Sequence, residues 1–193
     1  MIRAALLACL CATTSSLFAE PAAVYDQATI SASGQHSQGV LSVNQAAGAL
    51  QQQSNARVIQ HGASAPIAPV THVQQVNQNT LSNAPRQASA QINASFTRSH
   101  GVLGVNQSAG AANQQSNLFV LQCAENALND HELAGISTVS QVNQTTAPND
   151  GNYSVAIDEQ SFAQSRGVVQ LNQSAGIGNR SANAIRLRVL EGP

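Results

Sequence analysis

Apolar and polar side chains alternate through residues 40–45. Leu41, Val43 and Gln45 share one face of an extended chain, and Val40, Ser42 and Asn44 share the other. The alternation resumes at Gln51, Gln53 and Asn55 and continues to Ile59. A period near two, with frequent glycine, excludes coiled coils and amphipathic helices. Between the two runs, Ala46, Ala47 and Gly48 are small and permissive, which suits a tight reversal. The pattern therefore predicts strand–turn–strand.

The chain repeats this unit. GVLSVNQAAG at 39–48 returns as GVLGVNQSAG at 101–110 and as GVVQLNQSAG at 167–176. Each copy leads into an amide-rich run: QQQSN at 51–55, NQQSN at 113–117, NRSAN at 179–183. Apolar residues follow in register, with Phe119 and Leu121 in the second copy and Ile185 and Leu187 in the third. Agreement extends upstream, where Ser33 aligns with Ser95 and Ser161, Ser37 with Ser99 and Ser165, and Phe96 with Phe162. The alignment divides the chain into a lead at 20–29, repeats at 30–60, 92–122 and 158–193, and spacers at 61–91 and 123–157. The spacers carry a fainter echo, VQQVNQ at 73–78 and VSQVNQ at 139–144, so that Asn-Gln steps recur about every 32 residues. Two readings of the spacers stand: weak rungs of the same ladder, or flexible links broken by Pro66, Pro69, Pro85 and a turn at 148–151. The acidic stretch at 123–133 suits a short helix or a solvated loop.

Stacked at the strand spacing of about 4.8 Å, identical units place identical side chains in columns. Asn44, Asn106 and Asn172 form one column, and Gln45, Gln107 and Gln173 another. Gln53 and Gln115, then Asn55, Asn117 and Asn183, continue the pattern on the second strand, and Gly48, Gly110 and Gly176 mark the reversal. A primary amide donates to one neighbour and accepts from the other, so such ladders satisfy polar groups inside a dry sheet interface. Apolar columns run alongside: Leu41, Leu103 and Val169, then Val43, Val105 and Leu171. A single unit leaves most of these groups unpartnered, so units fold only as a stack. The expected fold is all-β: a β-solenoid-like or cross-β stack of three strand–turn–strand units. The end rungs expose strand edges that soluble proteins blunt with charge, and this chain scarcely does so. The third unit does carry Arg180, Arg186 and Arg188, either as a charged cap or as drift on solvent-facing positions.

Composition narrows the function. Charged residues make up 9% of the chain, there is no lysine, and the net charge is −1. A nucleic-acid partner needs clustered Lys or Arg and is not expected. Aromatic residues are 3% with no Trp, so amides rather than large rings must hold the core. No His or Cys pair has metal-ligand spacing, and no nucleophile elbow, phosphate loop or carboxylate pair appears. The expectation is neither an enzyme nor a cofactor or metal binder. Residues 1–19 read as an export signal: Arg3, an apolar stretch from 4 to 12, and a small-residue cleavage site ending at Ala19. Its removal takes Cys9 and Cys11 and leaves Cys123 without an intramolecular partner.

The string at 101–117, GVLGVNQSAGAANQQSN, resembles the repeat of the Fap functional amyloids, and all three copies share the likeness. A looser likeness to curlin repeats fits the unit length less well. The Fap resemblance implies a secreted biofilm fibril subunit that associates with itself and with a homologous subunit. It also implies passage through the periplasm with a chaperone and an outer-membrane export pore. Such families have a major subunit, often with long variable spacers and a Cys-x-x-Cys pair, and a minor, nucleating one. The similar, moderate spacers here and the lack of that pair lean toward the minor type. The alternative is a non-polymerising β-solenoid adhesin or binding module at the cell surface.

Overall fold

The computed structural model describes residues 22–61, 71–77, 85–124, 137–143 and 151–190. The export signal, the acidic residues Glu125, Asp130 and Glu132, and the turn before Gly151 lie outside them. Every regular element described is a strand: β1 (Val24–Ser31), β2 (Gln38–Ala49), β3 (Gln52–His61), β4 (Thr71–Asn77), β5 (Arg86–Asn93), β6 (His100–Ala111), β7 (Gln114–Ala124), β8 (Ser137–Asn143), β9 (Gly151–Ile157), β10 (Arg166–Ile177) and β11 (Arg180–Leu190).

All pairings are parallel and run between repeats, not within them. The first sheet is β1-β5-β9, the second β2-β6-β10, the third β3-β7-β11 and the fourth β4-β8. The chain thus climbs in three rungs, with the second repeat in the middle of each three-stranded sheet. Register is identity: Asn106 pairs with Asn44 on one side and Asn172 on the other, and Asn117 with Asn55 and Asn183. Within a rung the sheets face each other in chain order, first on second, second on third, third on fourth. A slip of one residue would turn every inward side chain outward, so the double burial of the second sheet pins this register.

The strand–turn–strand unit is present, with three revisions. First, the reversal does not lie at Ala46–Gly48. These residues continue β2, and the chain turns at Leu50, with Ala112 and Gly178 at the same level. All three have left-handed φ, at 57°, 55° and 71°. The partners across the turn meet through side chains, not through a hairpin ladder, so no primed turn chemistry is required. Second, each repeat has an extra strand upstream, beginning at Val24, Arg86 and Gly151, ahead of the sequence boundaries at 30, 92 and 158. In the first two copies its inward positions include Ala28, Ala88 and Ala90, which give a weak hydrophobic signal. Third, the spacer strands are not weak rungs of the amide ladder. β4 and β8 pair with each other, Val73 to Val139 and Asn77 to Asn143, and form a separate sheet beside the third.

The apolar core lies between the first and second sheets. Ile30, Ile92, Phe96, Leu103 and Val105 are buried together, with Leu41, Val43, Phe162 and Leu171 packed around them. Ala28, Ala88, Ala90 and Ala109 form a second patch where small side chains bring the sheets close. Phe96 and Phe162 stack with centroids 5.2 Å apart. Val169 keeps its place in the expected column, in register with Leu103, but is 42% exposed. Cys123, in β7, is a partly exposed free thiol.

Candidate functional site: the amide ladders

The ladders follow from strand alternation. In β2, Gln45 faces the first sheet and Asn44 faces the third. In the first interface, Gln173 donates to Gln107 Oε1 at 2.8 Å, and Gln107 to Gln45 Oε1 at 2.8 Å. Each also donates to a backbone carbonyl of the first sheet: Gln45 to Thr29, Gln107 to Gln91, Gln173 to Ala156. The glutamines therefore fasten one sheet to the other while they stack.

In the second interface two asparagine columns interlock. Asn172 donates to Asn106 at 2.9 Å and Asn106 to Asn44 at 2.9 Å. Asn183 donates to Asn117 at 3.1 Å and Asn117 to Asn55 at 3.0 Å. Cross-links within each rung join the columns: Asn55 to Asn44 at 2.7 Å, Asn117 to Asn106 at 3.0 Å, Asn183 to Asn172 at 3.0 Å. Asn106, Gln107, Gln115 and Asn117 are all fully buried, and each carries hydrogen bonds to meet the cost of desolvating an amide. The donation in these three columns runs one way, from rung three to rung one. Gln53 and Gln115 run the other way, Gln53 donating to Gln115 at 3.0 Å. Their column ends at Ser181, and Gln115 donates instead to Ser174 at 3.0 Å.

The glycines have a different role from the one their smallness suggested. Gly48, Gly110 and Gly176 bend the strand with φ between 102° and 121°. A Cβ on Gly48 would lie 1.8 Å from the Gly110 carbonyl oxygen, and one on Gly110 would lie 2.0 Å from that of Gly176. Gly39, Gly101 and Gly167 form a second such column at the start of β2, β6 and β10, pointed the opposite way. A Cβ on Gly101 would lie 2.0 Å from the Gly39 oxygen, whereas one on Gly39 meets nothing. Both columns allow rungs to approach at strand spacing.

Three features went unseen in the sequence. Arg57 occupies the place that Phe119 takes one rung up, reaching Leu41 O at 3.3 Å. It fits because residue 104 is glycine: a Cβ there would lie 2.0 Å from Arg57 Nη2. Burial pushes the Arg57 guanidinium below its usual pKa. Arg86 pairs with Asp26 between β1 and β5, with side chains only 10% and 8% exposed. Asp158 closes the third-rung loop, accepting from the Ala94 amide at 2.7 Å and the Ser161 amide at 2.8 Å. Isolated charges carry no periodic signal, so only the fold brings these together. Among the described residues no cluster of three metal-ligating side chains occurs.

No solved structure matches this chain. The sequence model of one family, described as the functional amyloid protein FapB/FapC family, matches residues 10–190.

Proposed function

The chain belongs to the functional amyloid FapB/FapC family, and from that premise we propose that it is an exported fibril subunit whose copies add end to end. Rung three of one copy docks on rung one of the next, and the product is a cross-β fibre of the biofilm matrix. One observation carries this reading. Gln173 Oε1, at the rung-three end of its column, has no hydrogen-bond partner within the chain. Its column accepts donation only from a rung above, and Gln45 of a following copy supplies the matching amide. The same docking sets Asn44 over Asn172 and Gly39 over Gly167, identities already paired inside the chain.

We assign it to the minor, nucleating subunit type. A chain that prefolds three in-register rungs presents a finished template, which removes the costly first step of ordering strands. Its partners are then further copies, a homologous major subunit, and, by the resemblance of its repeats, a periplasmic chaperone and outer-membrane pore. Substoichiometric mature chain should abolish the lag of the major subunit's assembly. Fibre diffraction should give reflections near about 4.8 and 10 Å, with a weaker one near about 14 Å from the three-rung period. A persistently monomeric chain without these reflections would instead identify a surface-bound solenoid module. Fibres that form but do not seed would leave a bulk subunit.

A further inference from the structure

We propose that the loop edge between the first and second sheets is a binding ridge for phosphate-like oxyanions. It lies within a single chain and does not depend on polymerisation. Two adjacent columns build it. His36, Arg98 and Gln164 stack in one, each exposed and each with left-handed φ (56°, 53° and 58°). Gln38, His100 and Arg166 stack in the other, paired in direct register. Backbone hydrogen bonds fix the levels: His36 N to Thr97 O at 2.9 Å, His100 N to Ser37 O at 2.8 Å and Arg166 N to Ser99 O at 2.8 Å. These six residues, with Ser165, line an open groove of about 530 Å³.

The charge pattern is what a ligand would answer. In a chain with 9% charged residues, four of these six positions are basic, and no carboxylate lines the groove. Arg98 Nη1 lies 3.5 Å from His36 Nε2, while its Nε donates to Gln164 at 3.0 Å. His100 and Arg166 are neighbours in register. The ion pair Arg86–Asp26 shows that this fold neutralises an arginine where it can. Here Arg98 and Arg166, on adjacent rungs, border one groove that holds no acidic partner. A tetrahedral oxyanion offers several acceptor oxygens at once, which suits donors from adjacent rungs better than a monovalent halide does. Two guanidiniums and two imidazoles are too few to hold a nucleic-acid duplex, which needs many phosphate contacts.

The columns themselves supply clean variants. Arg98→Gln installs the residue that Gln164 provides in the same column with the same left-handed φ, and Arg166→Gln installs that of Gln38, so both suit the local backbone. Arg180→Gln is the control. It removes one charge elsewhere and restores the identity of Gln52 and Gln114. Equilibrium dialysis of the mature chain against inorganic phosphate, and separately against polyphosphate, reads the site. The expected result is saturable binding of phosphate groups that the double variant weakens at least tenfold and Arg180→Gln leaves unchanged. Binding of both probes identifies a site for single groups. Binding of polyphosphate alone identifies a ridge for polymer-borne groups. Equal loss in the control and the double variant, or no binding of either probe by the native chain, would overturn the proposal.

Discussion

Replacing Asn106 by leucine tests the ladder where it is most complete. Asn106 is fully buried and makes four hydrogen bonds: to Asn44 Oδ1 at 2.9 Å, to Ser54 O at 2.7 Å, and from Asn172 at 2.9 Å and Asn117 at 3.0 Å. At about 1 kcal/mol net for each bond, Asn106→Leu removes about 4 kcal/mol. The added apolar burial and the overpacking are each about 1–3 kcal/mol and largely cancel. Asn44, on the exposed first rung, accepts two bonds, from Asn106 and Asn55. Asn44→Leu should therefore cost the soluble chain about half as much, about 2 kcal/mol. In the fibre Asn44 becomes an interior residue with a further partner in the next copy. There Asn44→Leu should raise the critical concentration by up to about thirtyfold, for the additional ~2 kcal/mol that only the fibre loses, while Asn106→Leu, whose bonds all lie within one chain, costs folded monomer and fibre alike and should leave it nearly unchanged. Urea unfolding of dilute monomer and sedimentation of assembled fibre give the two quantities. Equal midpoints for the two variants in the monomer would refute the bond-by-bond reasoning. An unchanged critical concentration for Asn44→Leu would refute end-to-end docking while leaving the intrachain ladder intact.

The glycine columns give a second contrast: Gly101→Ala should prevent folding, since its Cβ meets the Gly39 oxygen at 2.0 Å, while Gly39→Ala should leave a foldable chain, strained at φ 90° by about 1–3 kcal/mol, that fails to elongate; circular dichroism and growth kinetics separate them. Removing one partner of the buried Arg86–Asp26 pair should destabilise by about 3–5 kcal/mol, and replacing both by alanine should cost less than either alone, as thermal unfolding of the double-mutant cycle would reveal. The Asp158 carboxylate is held below its usual pKa, first by the Ser161 hydroxyl and then, against some desolvation, by the Ala94, Ser161 and Gln160 backbone amides. A depressed folded-state pKa means stability that is complete above the unfolded value, about 4, and lost as pH falls through the folded one. Wild type and Asp158→Asn should accordingly differ by a constant amount from about pH 5 to pH 8 and converge in stronger acid; a difference that persists unchanged at low pH would exclude the carboxylate as its source.

What was legible and what was not divides along one line. Asn44, Asn106 and Asn172 announced a column because three copies of one motif must stack alike if they stack at all. The same logic placed Gln107 over Gln45 and Phe162 over Phe96. The lead strand escaped because Ala88 and Ala90 are inward residues with little hydrophobic weight, buried only because the opposing Ala109 is equally small. The reversal was misplaced because Gly48 looks like a turn glycine. Its actual constraint is the Gly110 carbonyl one rung away, which no local pattern records. Arg57 was opaque for a related reason. Its site exists only because Gly104, in another repeat, leaves a space.

The sequence by itself determined the parallel, in-register stack and the identity of the amide columns. Repetition forces register, and a buried primary amide needs a partner of its own kind. Tertiary structure decided the order of sheets within a rung, the pairing of spacer strands with each other, and where the chain turns. It also decided which end of each column is left with an unmatched acceptor. Those outcomes depend on the distance between sheets and the direction of each carbonyl, and neither is a property of any residue until its neighbours along the stack are in place.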